Sequence, residues 1–223
     1  MLAGMSKAFF AAVSVAALLF CAACAMGDME TEARYRVTFS STWSAETHPT
    51  NFPSGPHFSG LVGATHHGDV RLWQAGEIAS DGIELMAETG GKSELLHEIE
   101  HLIEDGDAHG ELSGRGLSTS PATVSLTFGA VSSHPFVTLV SMVAPSPDWF
   151  VGVSALPLME DGAWRERVEV QLRVYDAGTD DGTVFNAANA DTAPAEPITA
   201  LTESDTDFVD GEPFMGTFVF ELL

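Results

Sequence analysis

The chain has 223 residues, 45% of them hydrophobic, which is enough to bury a sizeable core in one domain. Nine Lys and Arg stand against 32 Asp and Glu, a formal net charge of −23 that excludes nucleic acid and anionic membrane as natural partners and draws cations instead. Both cysteines, Cys21 and Cys24, fall in the N-terminal leader, so the domain beyond it has no internal disulfide and must be held by its core or by a metal.

In chain order, residues 1–25 read as a secretion signal. Lys7 is the only charge before Asp28, and Ala8 to Ala25 is a run of small apolar residues too short and alanine-rich for a membrane span. Ala23-Cys24-Ala25 fits simple cleavage. Ala22-Ala23-Cys24 also fits, loosely, the end of a lipoprotein signal, which keeps lipid anchoring at Cys24 open.

Residues 34–223 read as one domain. Tyr35 to Phe39 alternates like a half-buried strand, and so do Val70 to Trp73, Ile83 to Ala87 and Val124 to Phe128. Ser44 to His67, rich in Pro, Gly, His and Ser, reads as a long ordered loop. One helix is expected from Ser93, as N-cap, to about Asp105, with Gly106 as its stop. Phe136 to Val143 and Phe150 to Val153 are continuously apolar, as strands buried on both faces are, and Val168 to Tyr175 alternates. Asn186 to Gly211 reads as loop, and Phe214 to Leu222 closes the chain as a strand. About eight strands with turn signals between them make an all-β, antiparallel β-sandwich with one inserted helix near residues 93–105.

That helix contains His97-Glu98-Ile99-Glu100-His101, a formal HExxH, in which two histidines one turn apart bind zinc and the glutamate activates water. At about 100° per residue, Leu95, Leu96, Ile99, Leu102 and Ile103 form one apolar stripe and the histidines project from the other side, toward water. Glu104 also stands where a metzincin needs glycine, and no motif supports His109 or Glu111 as a third ligand. A secreted zinc hydrolase on His97, Glu98 and His101, or one using an acid pair, is therefore the alternative reading rather than the first.

Two turn-forming segments place carboxylates at strand ends: Pro145-Ser146-Pro147-Asp148 and Asp176-Ala177-Gly178-Thr179-Asp180-Asp181-Gly182. The second is not an EF-hand, because its sixth and twelfth places hold Asp181 and Ala187 rather than Gly and Glu. Taken alone, without the distant Asp148, it reads as Asx turns, in which aspartates beside glycine cap the backbone. His48, His57 and His66 are expected to hydrogen-bond irregular backbone, and at least three of the four tryptophans, Trp43, Trp73, Trp149 and Trp164, are expected in the core.

The motifs have a family likeness. Asp148 within Pro-Ser-Pro-Asp-Trp-Phe-Val-Gly, then Trp164 and the Asp176 to Gly182 segment, are preceded in order by Tyr35 to Phe39, Trp43-Ser44, Thr47-His48-Pro49, His57-Phe58-Ser59, Gly63 to His66 and Leu72-Trp73. This pattern, from about Tyr35 to about Thr202, resembles the spondin N-terminal domain. The resemblance implies a C2-like sandwich with calcium in loops at one end and Asp148, Asp176 and Asp180 as ligands, with Asp181 behind them or facing solvent. It further implies an exported, non-catalytic calcium-binding module for adhesion or ligand binding at the cell surface, in the matrix or in the envelope. A matrix or cell-surface glycan or protein is the expected partner. Lack of cysteine in the domain departs from the animal members.

Overall fold

The computed structural model describes residues 30–202 and 214–223, so the signal expected over residues 1–25, with Cys21 and Cys24, and residues 203–213 lie outside the described residues. The strands are β1 (Glu32–Ser41), β2 (His57–Phe58), β3 (Val62–His66), β4 (Ala108–Ser113), β5 (Thr123–Val131), β6 (Phe136–Ala144), β7 (Trp149–Pro157), β8 (Met159–Glu160), β9 (Ala163–Trp164), β10 (Arg167–Asp176), β11 (Thr199–Ala200) and β12 (Phe214–Leu222). Two helices, α1 (Asp81–Thr89) and α2 (Ser93–Asp105), are inserted between β3 and β4. The main sheet is antiparallel, in the order β4-β3-β6-β7-β10-β12-β1-β5, with β2 added to β6 and β11 to β10. It curls into a nearly closed sandwich, its ends β4 and β5 facing each other across a cleft lined by His109 to Ser113 and Leu126 to Gly129.

The expected alternation and the expected continuous runs both have their cause here. In β1, Tyr35, Val37 and Phe39 point into the sandwich, where they meet Phe128, Leu172, Val174, Phe218 and Phe220. β6 instead serves two cores. Val137, Leu139 and Val143 face the interior, and Val140, Met142 and Ala144 face a second cluster built with the helices, to which Ile83, Met86, Leu95 and Ile99 contribute. A strand covered on both sides reads as apolar throughout.

Several local expectations change, and the loop expected over Asn186 to Gly211 contains the short strand β11. Ile83 to Ala87 is helix rather than strand: the Ser80 hydroxyl accepts from the Ile83 N–H, Ile83, Met86 and Ala87 are buried on one face, and Gly90 ends α1 at φ 71°. Val70 to Trp73 is not a strand, although Leu72 and Trp73 are buried, with the Trp73 ring against Phe150 and Tyr175 at 5.0 and 4.8 Å. The loop expected over Ser44 to His67 contains β2 and the central strand β3. Gly63 disguises β3, yet it is required there, because a Cβ would stand 1.9 Å from the Thr138 carbonyl oxygen. α2 spans the expected residues, with Lys92 rather than Ser93 at its cap position. Among the described residues no helix is long and apolar enough to cross a membrane.

Glu98 joins the two helices. Its carboxylate accepts from the Gly82 N–H (2.7 Å) and from the Ser80 hydroxyl (2.8 Å), so α2 supplies the negative charge that the first turn of α1 favours. Glu98→Ala is expected to lower stability by about 1–3 kcal/mol in chemical denaturation, the cost of removing a charged acceptor from two donors.

His66, fully buried, contacts the His67 carbonyl through Nδ1 (2.6 Å) and the Thr138 hydroxyl through Nε2 (2.8 Å), which fits a neutral ring with the proton on Nδ1. Burial holds its pKa below the usual 6.5, opposed by the His67 carbonyl and reinforced by Arg71, His134 and His67. Unfolding then takes up a proton. Stability should fall as pH drops below about 6.5, and His66→Asn should flatten that part of the denaturation profile.

Candidate cation site

Two loops meet at one end of the sheet because of strand register. β7 pairs with β10 so that Trp149 lies opposite Asp176 and Val151 opposite Val174. Asp148, just before β7, therefore abuts Ala177, just after β10, and the Ala177 N–H donates to the Asp148 carbonyl at 3.2 Å. Ser146 fixes the approach: its hydroxyl donates to the Val143 carbonyl (2.6 Å) and accepts from the Trp149 N–H (3.1 Å). In the second loop Gly178 turns the chain at φ +76°, where a Cβ would stand 2.2 Å from the Glu196 carbonyl oxygen.

The Asp148 side chain is fully buried. Its Oδ2 takes three donors from the second loop: the Thr179 N–H at 2.8 Å, the Thr179 hydroxyl at 3.3 Å and the Asp180 N–H at 3.2 Å. Its Oδ1 is buried without a hydrogen-bond partner. Burial raises the Asp148 pKa, the Thr179 and Asp180 donors pull it down, and the Asp180 charge raises it further.

The other aspartates are better satisfied. Asp180, nearly buried, accepts from the Gly182 N–H at 2.7 Å through Oδ1 and from the Ala190 N–H at 2.9 Å through Oδ2. Asp176 accepts from the Gly178 N–H (2.8 Å) and from the Trp149 indole N–H (3.2 Å). The bonds to Gly178 and Gly182 are Asx turns, so these two aspartates also shape the loop. Asp181 is exposed and accepts from the Thr192 hydroxyl at 2.7 Å.

Glu88, in the last turn of α1, was not among the expected residues. Its pKa is raised chiefly by burial, lowered by a hydrogen bond with the Thr179 hydroxyl, and raised again by the charges of Glu84, Asp180 and Asp148. The missed signal was the helix itself, whose Ser80 cap and Ile83, Met86, Ala87 spacing set Glu88 toward the loops. The structure thus gathers Asp148 and Asp180 with Glu88 nearby, while Asp176 turns to Gly178 and Trp149. Among the described residues no three His, Cys, Asp or Glu side chains stand as a ready-made metal-binding group.

His97 and His101 are exposed, as their place opposite the apolar stripe predicts, while Glu98 faces α1. His48 and His57 hydrogen-bond Thr47 and the Gly55 carbonyl. Trp43, Trp73 and Trp149 are buried, and Trp164 packs against the main core.

Comparison with known proteins places this architecture. The Spondin_N family model matches residues 33–214. Spondin-2 of Rattus norvegicus is 35% identical over 176 residues, covering 77% of this chain and 53% of that protein, and Spondin-2 of Homo sapiens is 34% identical over the same length. Spondin-1 of Gallus gallus is 33% identical over 198 residues, 85% of this chain and 24% of that protein. The chain thus spans about half the length of Spondin-2 and about a quarter of Spondin-1. With its nearly closed antiparallel sandwich, its paired loops and a family match over most of its length, the chain belongs to the spondin N-terminal domain family.

Proposed function

We propose that the protein is an exported, calcium-binding β-sandwich module that serves adhesion or ligand binding at the cell surface or in the extracellular matrix, without catalysis. One asymmetry carries the calcium reading. Asp176 and Asp180 offer both carboxylate oxygens to donors, whereas Asp148 crowds three donors onto Oδ2 and keeps Oδ1 buried and unpartnered. An ionised carboxylate so placed is costly to bury, and a hard divalent cation offsets both that cost and the repulsion among Asp148, Asp180 and Glu88.

Asp148 would hold the ion through Oδ1. Asp176 and Asp180 are the other carboxylates the loops supply, with carbonyl oxygens and water completing a shell of about six to eight oxygens. Calcium would add the positive charge that ties the loops together. The protein's own part is positional: the β7–β10 register sets the loops side by side, Gly178 makes the turn, and Thr179 orients the Asp148 carboxylate. Adhesion is supported by kinship with the spondins through this one domain, and export by the leader sequence. Absence of catalysis is supported by Glu98, whose carboxylate is engaged by α1 rather than placed to activate water.

Calorimetric titration with calcium should show one site in the wild-type protein, and calcium at about 100 times Kd should stabilise the fold by about 2.7 kcal/mol. The double variant Asp148→Asn, Asp180→Asn should lose both effects; unchanged affinity would remove the site. Retention of the calcium-loaded protein on matrix polysaccharide or surface extract, released by chelator, separates a binding module from a purely structural envelope protein.

A further inference from the structure

We propose that α2 carries a second cation site of different chemistry, a solvent-facing clamp in which His97 and His101 bind a borderline transition cation of the Cu2+, Ni2+ or Zn2+ class. The two residues lie one helical turn apart, and their ring centroids are 4.6 Å apart. Histidines at i and i+4 on a helix present one ring nitrogen each to a shared ion, which such cations bind at about 2.0–2.1 Å. Both side chains are open to solvent, 57% and 62% exposed, so an ion reaches them without any rearrangement of the fold.

Each ring also has a carboxylate behind it. His97 Nδ1 faces Glu100 at 3.8 Å, and His101 Nδ1 faces Glu104 at 3.5 Å, each three residues further along the helix. A carboxylate on that side favours the tautomer with the proton on Nδ1 and leaves the Nε2 lone pair free, the arrangement that orients histidine ligands. The platform is rigid, because Leu95 and Ile99 bury the opposite face of α2 against the second core.

The same geometry separates this clamp from a hydrolase. Glu98 is engaged by Ser80 and Gly82 on α1, so the HExxH residue that would activate water belongs to the helix interface. Two protein ligands leave the remaining coordination positions to water. Imidazole nitrogens select transition cations over calcium, and affinity should follow Cu2+ above Ni2+ and Zn2+. The excess of acid on the chain raises the local concentration of any such cation.

The test is titration of the intact protein, saturated with calcium, with CuCl2 and then ZnCl2 near neutral pH. Heat and the histidine ring-proton resonances are followed. The expected result is one site whose binding broadens or shifts His97 and His101, weakens at least about tenfold in His97→Ala and in His101→Ala, and weakens less, with unchanged stoichiometry, in Glu100→Gln, Glu104→Gln. Circular dichroism should be unaltered, because all four side chains are exposed. Copper binding that survives His97→Ala, His101→Ala, that maps instead to His67 and His134, or that excess calcium displaces would overturn the proposal. Loss of the calcium site in Asp148→Asn, Asp180→Asn leaves this clamp intact, so the two readings fail separately.

Discussion

The pairing of Trp149 with Asp176 is the constraint on which the loop end of the molecule depends. Asp148 and the Ala177 to Asp180 segment are almost thirty residues apart in sequence, and neither loop determines where the other goes. Two strands in fixed antiparallel register do so, because their ends coincide. The register is in turn fixed by burial: a slip of one residue would turn Trp149, Val151, Leu172 and Val174 out of the main core and expose them to water. The loop contacts around Asp148 Oδ2 are therefore consequences of the core rather than its cause. Polar groups at the tip can be left incompletely satisfied because hydrophobic packing further down the strands holds them in place.

The helical insertion extends the same logic to the outer face of the sheet. β3, β6 and β7 would expose Val62, Val140, Met142 and Phe150 to solvent if α1 and α2 did not cover them. Glu98 makes the two helices a unit, and through α1 this unit brings Glu88 to the edge of the loop cluster. Fold stability and site electrostatics thus meet in one short helix. The ion pairs that join Arg165 to Glu160 and Arg167 to Glu169 among the described residues are largely at the surface, where each contributes about 0–1 kcal/mol. The hydrophobic cores carry the fold.

What the sequence made legible follows from how much of each signal is local. β1, β5 and β10 announced themselves because their residues alternate between a covered and a wetter face, and β6 and β7 because their apolar runs are continuous. β3 was hidden because glycine, alanine and histidine occupy a strand that its neighbours press too closely for larger residues; Gly63 against the Thr138 carbonyl is the extreme case. α1 was hidden because five residues from Ile83 to Ala87 suit either period, and only the Ser80 cap and the left-handed Gly90 decide between them. For the loops, the identity of the aspartates could be read but not their partners. That Asp176 meets the Trp149 indole, or that Thr179 stands between Asp148 and Glu88, is a fact of tertiary structure that no spacing encodes.

The distribution of acid in this chain separates a charged surface from a site. Thirty-two carboxylates produce a field that attracts any cation, and most of them are solvated and interchangeable. Asp181 illustrates this kind: it is adjacent to Asp180, yet its side chain is exposed and accepts from the Thr192 hydroxyl. Asp148 differs in environment rather than in charge. Its carboxylate is fixed by three donors on one oxygen, while the other oxygen is buried without a hydrogen-bond partner. A buried carboxylate oxygen interacts more strongly with a cation than an exposed one does, because the surrounding dielectric is low. In this acidic protein it is therefore the carboxylate hardest to satisfy, not the densest cluster of carboxylates, on which the calcium proposal rests.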